Sequence, residues 1–302
     1  MKFKLKLNLK IYFLLLSSME ITVYYKGNKI EIRDKIVTLM GGTARYEIGR
    51  AVYYVLKALY SIPRLYGSPP KGDVIDSWKN SFEREMSRLI ASEIEVEKIA
   101  FPEATIRVEF KKLAVNVALN QRQFSVNVEL KERPNVENSL AGLIKVDSFY
   151  FDSIEKVRPF VVLGNRSGLI AAFNRFLILR NEGAPGIPKT LGVISEFVNS
   201  IVLMEGSVYD LYGRKITTSP EGLVLDGSLV YNADPETLSL FPLKFLLEGS
   251  KGFFVIEDPE ANLSKENKEK VKELILGNPS TFLISTNDED FALGKVFRVP
   301  QS

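Results

Sequence analysis

Apolar positions in this chain switch between a period of two and a period near 3.6, and the switches mark out its elements. Residues 19–25 and 29–33 alternate around Lys26-Gly27-Asn28, which predicts a hairpin with a glycine turn. Residues 36–40 form a compact apolar strand that runs into Gly41-Gly42-Thr43. Helical spacing of Ile48, Ala51, Val52, Val55, Leu56 and Leu59 predicts a helix over 45–60, buried on a wide face. The Gly/Pro-rich stretch 64–73 reads as a loop, and a second helix follows over 75–93. Residues 105–110, 114–119 and 124–130 alternate again, as an antiparallel meander does, and 133–139 reads as a loop at its far side.

The second half mixes both periods. A strand over 157–162 leads into Leu163-Gly164-Asn165-Arg166-Ser167-Gly168 and a helix to about 180. Residues 183–188 break the chain, and 189–204 predicts another helix. Short strands are expected at 208–211, 215–218, 222–225 and 229–231. Asp234-Pro235-Glu236 is a helix start, with Asp at the N-cap, Pro at the first position and an acid in the first turn. The chain ends on a strand over 253–256, a helix over 265–275 capped by Ser264 and stopped by Gly277-Asn278-Pro279, and strands over 281–285 and 295–299. Neither an internal repeat nor a heptad pattern is present.

At the start, Phe3, Leu5, Leu7, Leu9 and Ile11 alternate with Lys2, Lys4, Lys6, Asn8 and Lys10. That is a strand period rather than the continuous apolar core of a signal peptide, and no small-residue cleavage site follows. Met19 opens a self-sufficient strand, so residues 1–18 read as a possible N-terminal extension. No run is long enough to span a bilayer, and the expected location is cytoplasmic.

Composition narrows the chemistry. With 302 residues, 45% hydrophobic and 25% charged, the chain matches an ordinary globular protein able to bury a large core. It has no Cys and no His, which removes zinc fingers, iron–sulfur sites, thiol nucleophiles and Ser-His-Asp triads. Acid–base chemistry is left to Asp, Glu, Lys and Tyr. Gln occurs only at 121, 123 and 301, and with no Cys and abundant Lys, Glu and Ile this fits a thermophile. A net charge of +3 is small for a nucleic-acid-binding domain. Lys111, Lys112, Arg122, Lys131 and Arg133 on the meander are a basic cluster that either meets nucleic acid or forms the solvated face.

The most informative stretch is Gly252-Phe-Phe-Val-Ile-Glu-Asp-Pro-Glu-Ala-Asn-Leu-Ser264, an apolar strand ending in consecutive carboxylates. It resembles the Walker B strand and following loop of ABC-type and SMC-like P-loop ATPases, with the first two carboxylates, Glu257 and Asp258, transposed. Three other landmarks fall in the order of that family. Leu39-Met40-Gly41-Gly42-Thr43-Ala44-Arg45-Tyr46-Glu47-Ile48 stands where the family has G-x-x-x-x-G-K-S/T. Phe160–Leu169 carries Arg166 in a strand-to-helix turn. Asn232-Ala233-Asp234-Pro235 stands where active relatives carry a Ser-x-Gly signature. After them, Asn287 in Ser285-Thr286-Asn287-Asp288 takes the position of the switch His.

This resemblance implies an α/β fold: a P-loop NTPase-like ABC-ATPase head, AAA-type or OLD-like and of archaeal type. A mixed sheet, an antiparallel β-meander lobe and flanking helices are expected, without the coiled-coil arm of SMC proteins. One domain over 19–302 is expected, with a first lobe to about 150 and a second part from about 151. The resemblance also assigns roles. Gly41, Gly42, Thr43, Arg45 and Glu47 would be the nucleotide-binding loop. Glu257 would hold Mg²⁺ through water, Asp258 would orient the attacking water, and Asn287 would face the γ-phosphate. Arg166 would be a positioned cation or a salt-bridge partner that holds a loop.

The departures from the pattern share one direction. Glu47 replaces the Lys that cradles the β/γ-phosphates, and Ile48 replaces the hydroxyl that reaches Mg²⁺. At ~4 Å and an effective dielectric near 20, each unit of charge beside a polyanion is worth roughly 4 kcal/mol as an upper guide. Arg45 and Arg50 offset this in part. Exchanging Asp and Glu moves each carboxylate by about 1 Å, a shift that can cost on the order of 100-fold in rate. The leading expectation is a pseudo-ATPase acting as a scaffold, regulatory or interaction protein. No cofactor is then expected, and its partner is a second copy or an active ATPase relative, met through Arg45, Asp234 and Asp258. The alternative is an ATP/Mg-binding protein or slow ATPase, linked to DNA transactions. Each motif also has a plain structural reading: a glycine turn, a helix N-cap, and acids that cap a strand end.

Overall fold

The computed structural model describes residues 19–65, 72–97, 101–121, 123–154, 156–181, 197, 201 and 207–300. The expected strand within 1–18, the break at 183–188, most of the expected helix 189–204 and Arg122 lie outside the described residues. The chain divides into two compact units: 1–35 with 43–159 and 300–302, and 36–42 with 160–299. Ile36–Gly42, early in sequence, therefore clusters with the second half of the chain.

The first unit is an antiparallel sheet with helices on one face. Its strands are β1 (Glu20–Tyr25), β2 (Asn28–Ile32), β4 (Phe101–Glu109), β5 (Leu113–Gln121) and β6 (Gln123–Leu130), in the order β2-β1-β4-β5-β6. Alternation does the sorting: Ile21, Val23, Ile106, Val108, Val115, Val117 and Val128 are buried, while Ser125, Asn127 and Glu129 point to solvent. Helix α1 (Ala44–Ser61) packs on β4, and α2 (Val74–Glu97) packs on β6. Helix α3 (Leu140–Phe151) packs on α2. Sequence periodicity leaves α3 unassigned, because apolar residues occur almost all round it and give no clear stripe. Ser139 is its signal, accepting the Gly142 N–H at 3.1 Å as an N-cap.

The second unit holds a five-stranded sheet in the order β14-β3-β13-β12-β7. These are β3 (Ile36–Gly41), β7 (Pro159–Val162), β12 (Phe253–Glu257), β13 (Thr281–Ser285) and β14 (Lys295–Val299). Strands β12, β13, β3 and β14 run parallel. Near-continuous apolar runs such as Phe253–Ile256, fully buried, are what a parallel sheet covered on both faces requires. Helices α4 (Arg166–Asn181), α5 (Pro235–Gly249) and α6 (Lys265–Gly277) contribute to one core with Phe160, Phe173, Phe241, Phe254 and Phe282.

A separate antiparallel sheet follows the order β11-β10-β9-β8, from β8 (Tyr209–Leu211), β9 (Arg214–Ser219), β10 (Gly222–Leu225) and β11 (Ser228–Leu229). The fold is thus mixed α/β, with the antiparallel meander in the first unit's sheet and the parallel pairing in the second unit's. The expected strand 229–231 is corrected: only Ser228 and Leu229 pair, and Val230–Asn232 is a 3₁₀ turn. The turn lets Val230 enter the core at 0% exposure.

Candidate functional site

In the parallel sheet the carboxyl ends of β3, β13 and β12 lie side by side, so residues 41–42, 286–288 and 257–258 gather at one edge of the second unit. The chain's direction also reverses here. From β3 the next strand of this sheet is three places to one side, and from β13 it is two places to the other. Open α/β sheets bind ligands outside their carboxyl ends at such a reversal.

Hydrogen bonds tie the three strand ends together. Thr286 N donates to Leu39 O at 3.1 Å, and Asp258 N donates to Ser285 O at 2.8 Å. Gly41 N donates to the Asn287 carboxamide oxygen at 3.1 Å. Gly41 has φ +116°, and a Cβ there would lie 2.3 Å from Val299 O. The passage of β14 therefore demands glycine at 41, whatever ligand the turn meets.

Both carboxylates sit at the end of β12. Glu257 is 4% exposed, and Gly164 N donates to its Oε2 at 3.4 Å. Asp258 follows at φ +40°, a left-handed conformation that Asp tolerates better than most residues. Its Oδ2 lies only 3.3 Å from where a Cβ on Gly164 would be, so that glycine leaves room for it.

Arg166 organises this loop. It is 1% exposed, and NH1 donates to Asp258 O at 2.9 Å and Glu257 O at 3.3 Å. NH2 donates to Ala261 O at 2.7 Å and Pro259 O at 3.5 Å. The guanidinium thus holds the loop by its backbone. Burial pushes it down to about 10, against the pull of Glu260 and Asp258.

Beyond the loop, Thr286 Oγ1 donates to Glu260 Oε1 at 2.7 Å and accepts Asp288 N at 2.9 Å. Burial pushes the Glu260 carboxyl up. Lys268 lies 2.6 Å from Asp288, and its hydrogen bond holds the Asp288 carboxyl down. Gly164, Glu260, Thr286 and Lys268 received no role from the sequence. Only the pairing of strand ends brings them in, and no local motif announces that.

Asp234 and Glu236 act as helix furniture. Asp234 caps α5, accepting Thr237 N at 2.8 Å and Thr237 Oγ1 at 2.7 Å. Glu236 accepts Ser264 N at 2.6 Å and Asn267 Nδ2 at 2.9 Å, which ties α5 to the start of α6.

Thr43, Arg45 and Glu47 belong to the first unit. Thr43 stands at the N-cap of α1 without a side-chain capping bond. Arg45 is 6% exposed, bonds to Tyr46 Oη and lies 4.0 Å from the Tyr46 ring centroid. Glu47 is exposed, whereas Ile48 is buried at 0% in the core. Against the roles that the resemblance assigns, the donor set for a magnesium–nucleotide complex is incomplete: residue 48 is a core isoleucine with no hydroxyl, and residue 47 is an exposed carboxylate rather than an ammonium. Among the described residues, no group of three His, Cys, Asp or Glu side chains is placed to hold a metal. No described helix is long and apolar enough to cross a membrane.

The basic residues of the meander are mostly engaged within the first unit. Lys112 Nζ donates to Phe149 O at 3.1 Å and lies 3.6 Å from that ring's centroid. Arg133 pairs with Asp76 at 3.0 Å. Lys131 and Arg107 both bind Glu109, at 2.8 and 2.6 Å. The Arg107 hydrogen bond, followed by that of Lys131, lowers the Glu109 carboxyl to about 2. A depressed carboxylate stabilises the fold above its ordinary pKa of 4.5, and this contribution is lost as pH falls toward about 2. Denaturant midpoints should therefore fall across that window, and Glu109→Gln should flatten the slope there. An unchanged acid limb in the variant would refute the assignment.

No protein-family model matches this chain, and no curated protein does. Among solved structures, it is similar to an SMC head bound to the C-winged helix domain of ScpA, at 12% identity over 95% of this chain and 94% of that chain, with a TM-score of 0.47. It is also similar to the SMC head domain from Thermotoga maritima, at 13% identity over 93% and 94%, with a TM-score of 0.38. A third similarity is to the recombination mediator protein RecF with ATP, at 13% identity over 93% and 97%, with a TM-score of 0.40. Likenesses this distant carry no conclusion about this chain's activity.

Proposed function

We propose that this chain is a pseudo-ATPase of the ABC/AAA P-loop class, working in the cytoplasm as a scaffold, regulatory or interaction protein. The observation that carries the reading is the bond from Gly41 N–H to Asn287 at 3.1 Å. A phosphate loop works by aiming backbone N–H groups at the ligand, and here the loop's glycine donates to a side chain of its own chain. The Lys and hydroxyl that would complete the site are Glu47 and Ile48, and Arg45 is folded onto Tyr46. The protein partner would be a second copy or an ATPase relative. Nucleic acid is disfavoured by the internal engagement of Lys112, Lys131 and Arg133.

One observation favours a second reading, a nucleotide-binding protein or slow ATPase. Glu257 and Asp258 stand together at the carboxyl end of β12, one strand from the sheet's reversal point, where a bound magnesium would supply charge stabilisation. Glu257 would hold it through water, and Asp258 would orient the attacking water. Isothermal calorimetry with Mg-ATP separates the readings: no binding heat is expected for the native chain. Saturable binding, with hydrolysis that Asp258→Ala abolishes, would overturn the pseudo-ATPase reading.

A further inference from the structure

The face of the first unit's sheet turned away from its helices carries a cleft of about 640 Å³, within the size range of small-molecule sites. Strand register lays out its floor: Tyr24 stands opposite Thr105, Thr105 opposite Ala118, and Ala118 opposite Ser125. Three short side chains in a row keep the floor low, while the Tyr24 ring, 45% exposed, forms a wall. In the next row Asn120 pairs with Gln123, and both line the cleft. Here β4 bulges: Pro102 and Glu103 together oppose Asn120, because the register shifts between Phe101 and Ala104. Pro102 has no N–H to give the ladder, and the bulge sets Glu103 among the lining residues.

The neighbouring rows of this face satisfy themselves. Arg107 donates to Asn116 at 3.1 Å, Glu129 at 2.7 Å and Glu109 at 2.6 Å, and Lys131 donates to Glu109 at 2.8 Å. In the cleft the pattern reverses. Among the described residues, the side chains of Glu103, Thr105, Asn120, Gln123 and Ser125 hydrogen-bond to no other residue. Hydroxyls and carboxamides both donate and accept, which matches a ligand whose own hydroxyls do the same. Lys26 and Glu103 bring one charge of each sign, so no net field favours a phosphate or a carboxylate. The exposed aromatic ring offers a flat apolar face to the C–H side of a sugar ring.

We propose that this cleft is a binding site for an uncharged saccharide. A pyranose ring stacks on Tyr24 above the low floor of Thr105, Ala118 and Ser125, and Asn120, Gln123 and Glu103 take its hydroxyls. The site lies wholly in the first unit and shares no residue with the carboxyl edge at Glu257 and Asp258. It therefore stands apart from the pseudo-ATPase reading. A cleft this open to water sets the dissociation constant at about 1 mM.

Saturation-transfer NMR with the full chain tests this, using maltotriose, cellotriose and chitotriose titrated separately to about 10 mM, roughly ten times the expected constant. Saturable transfer to at least one of the three is expected. Tyr24→Ala and Gln123→Ala should each weaken it by about five- to tenfold, the size of one lost stacking or hydrogen-bond contribution. Tyr24→Phe keeps the ring and should bind within about twofold of the native chain. Because these side chains are exposed, all three variants should melt with the native chain, so lost binding cannot be attributed to misfolding. Transfer to none of the three sugars, or transfer that survives both Tyr24→Ala and Gln123→Ala, would overturn the proposal. The Mg-ATP calorimetry reads the carboxyl edge separately, so either result leaves the pseudo-ATPase reading to its own test.

Discussion

Replacing Arg166 with methionine should destabilise the second unit by roughly 3–5 kcal/mol, the range seen when one partner of a buried charged network is removed. The guanidinium is 1% exposed and donates to four backbone carbonyls of residues 257–261. Methionine fills much of the volume but donates nothing, so Ala261 O loses its donor at 2.7 Å and Asp258 O keeps only Ala261 N at 3.0 Å. A carbonyl left without a donor costs about 1–3 kcal/mol. Lysine should not rescue the loss, because a compact ammonium cannot span the carbonyls that a planar five-donor fork reaches. Denaturant unfolding followed by circular dichroism reads the total. Hydrogen exchange at residues 253–263 should localise the damage to the acid loop. A variant within about 1 kcal/mol of the native chain would show that solvent substitutes for the guanidinium, and Arg166 would then lose its organising role.

The same arginine shows what can be read from this sequence. Its place in a strand-to-helix turn is visible as a motif, and a loop-holding role is one of two readings the motif allows. That it grips carbonyls rather than pairing with a carboxylate depends on the path of residues 257–261, which is set by Pro259 and the left-handed Asp258 and Asn262. Elements with a clean period or a strong cap were legible: the meander, α1, α5 behind Asp234, and α6 behind Ser264. Helix α3 was not, because its apolar residues lie nearly all round. The candidate site was legible as separate strand ends but not as a connected edge. The bond from Gly41 to Asn287 joins residues 246 positions apart, and only strand order creates it. Gly41 carries the sharpest lesson. A glycine at the end of a buried strand looks like phosphate-loop chemistry, yet the approach of Val299 O is sufficient reason for it.

Asp147 carries the largest expected effect in the first unit. It is 0% exposed on α3 and serves three donors: Trp78 Nε1 at 2.9 Å, Leu65 N at 3.1 Å and Arg64 NH1 at 3.3 Å. A carboxylate suits this place because it accepts from every side and donates nothing. Asp147→Leu leaves the indole and Leu65 N–H groups unpaired and removes the anion opposite Arg64. A loss of roughly 3–5 kcal/mol is expected. Asp147→Asn keeps the Oδ1 acceptor that serves both Trp78 Nε1 and Leu65 N and turns its NH₂ only toward Arg64, so a loss of about 1 kcal/mol or less should remain. Trp78 is the only tryptophan in the chain and stacks on Tyr150 at 4.7 Å. Its emission therefore reports this unit alone, and the variants should show an altered native spectrum as well as a lower unfolding midpoint. If Asp147→Asn were as stable as the native chain, the site would need only a neutral acceptor. The charge, and with it the Arg64 contact, would then contribute nothing measurable, as open ion pairs often do. The 40% exposure of the Arg64 side chain makes that the weakest of the three contacts, so most of the loss should come from the indole and Leu65 N–H groups.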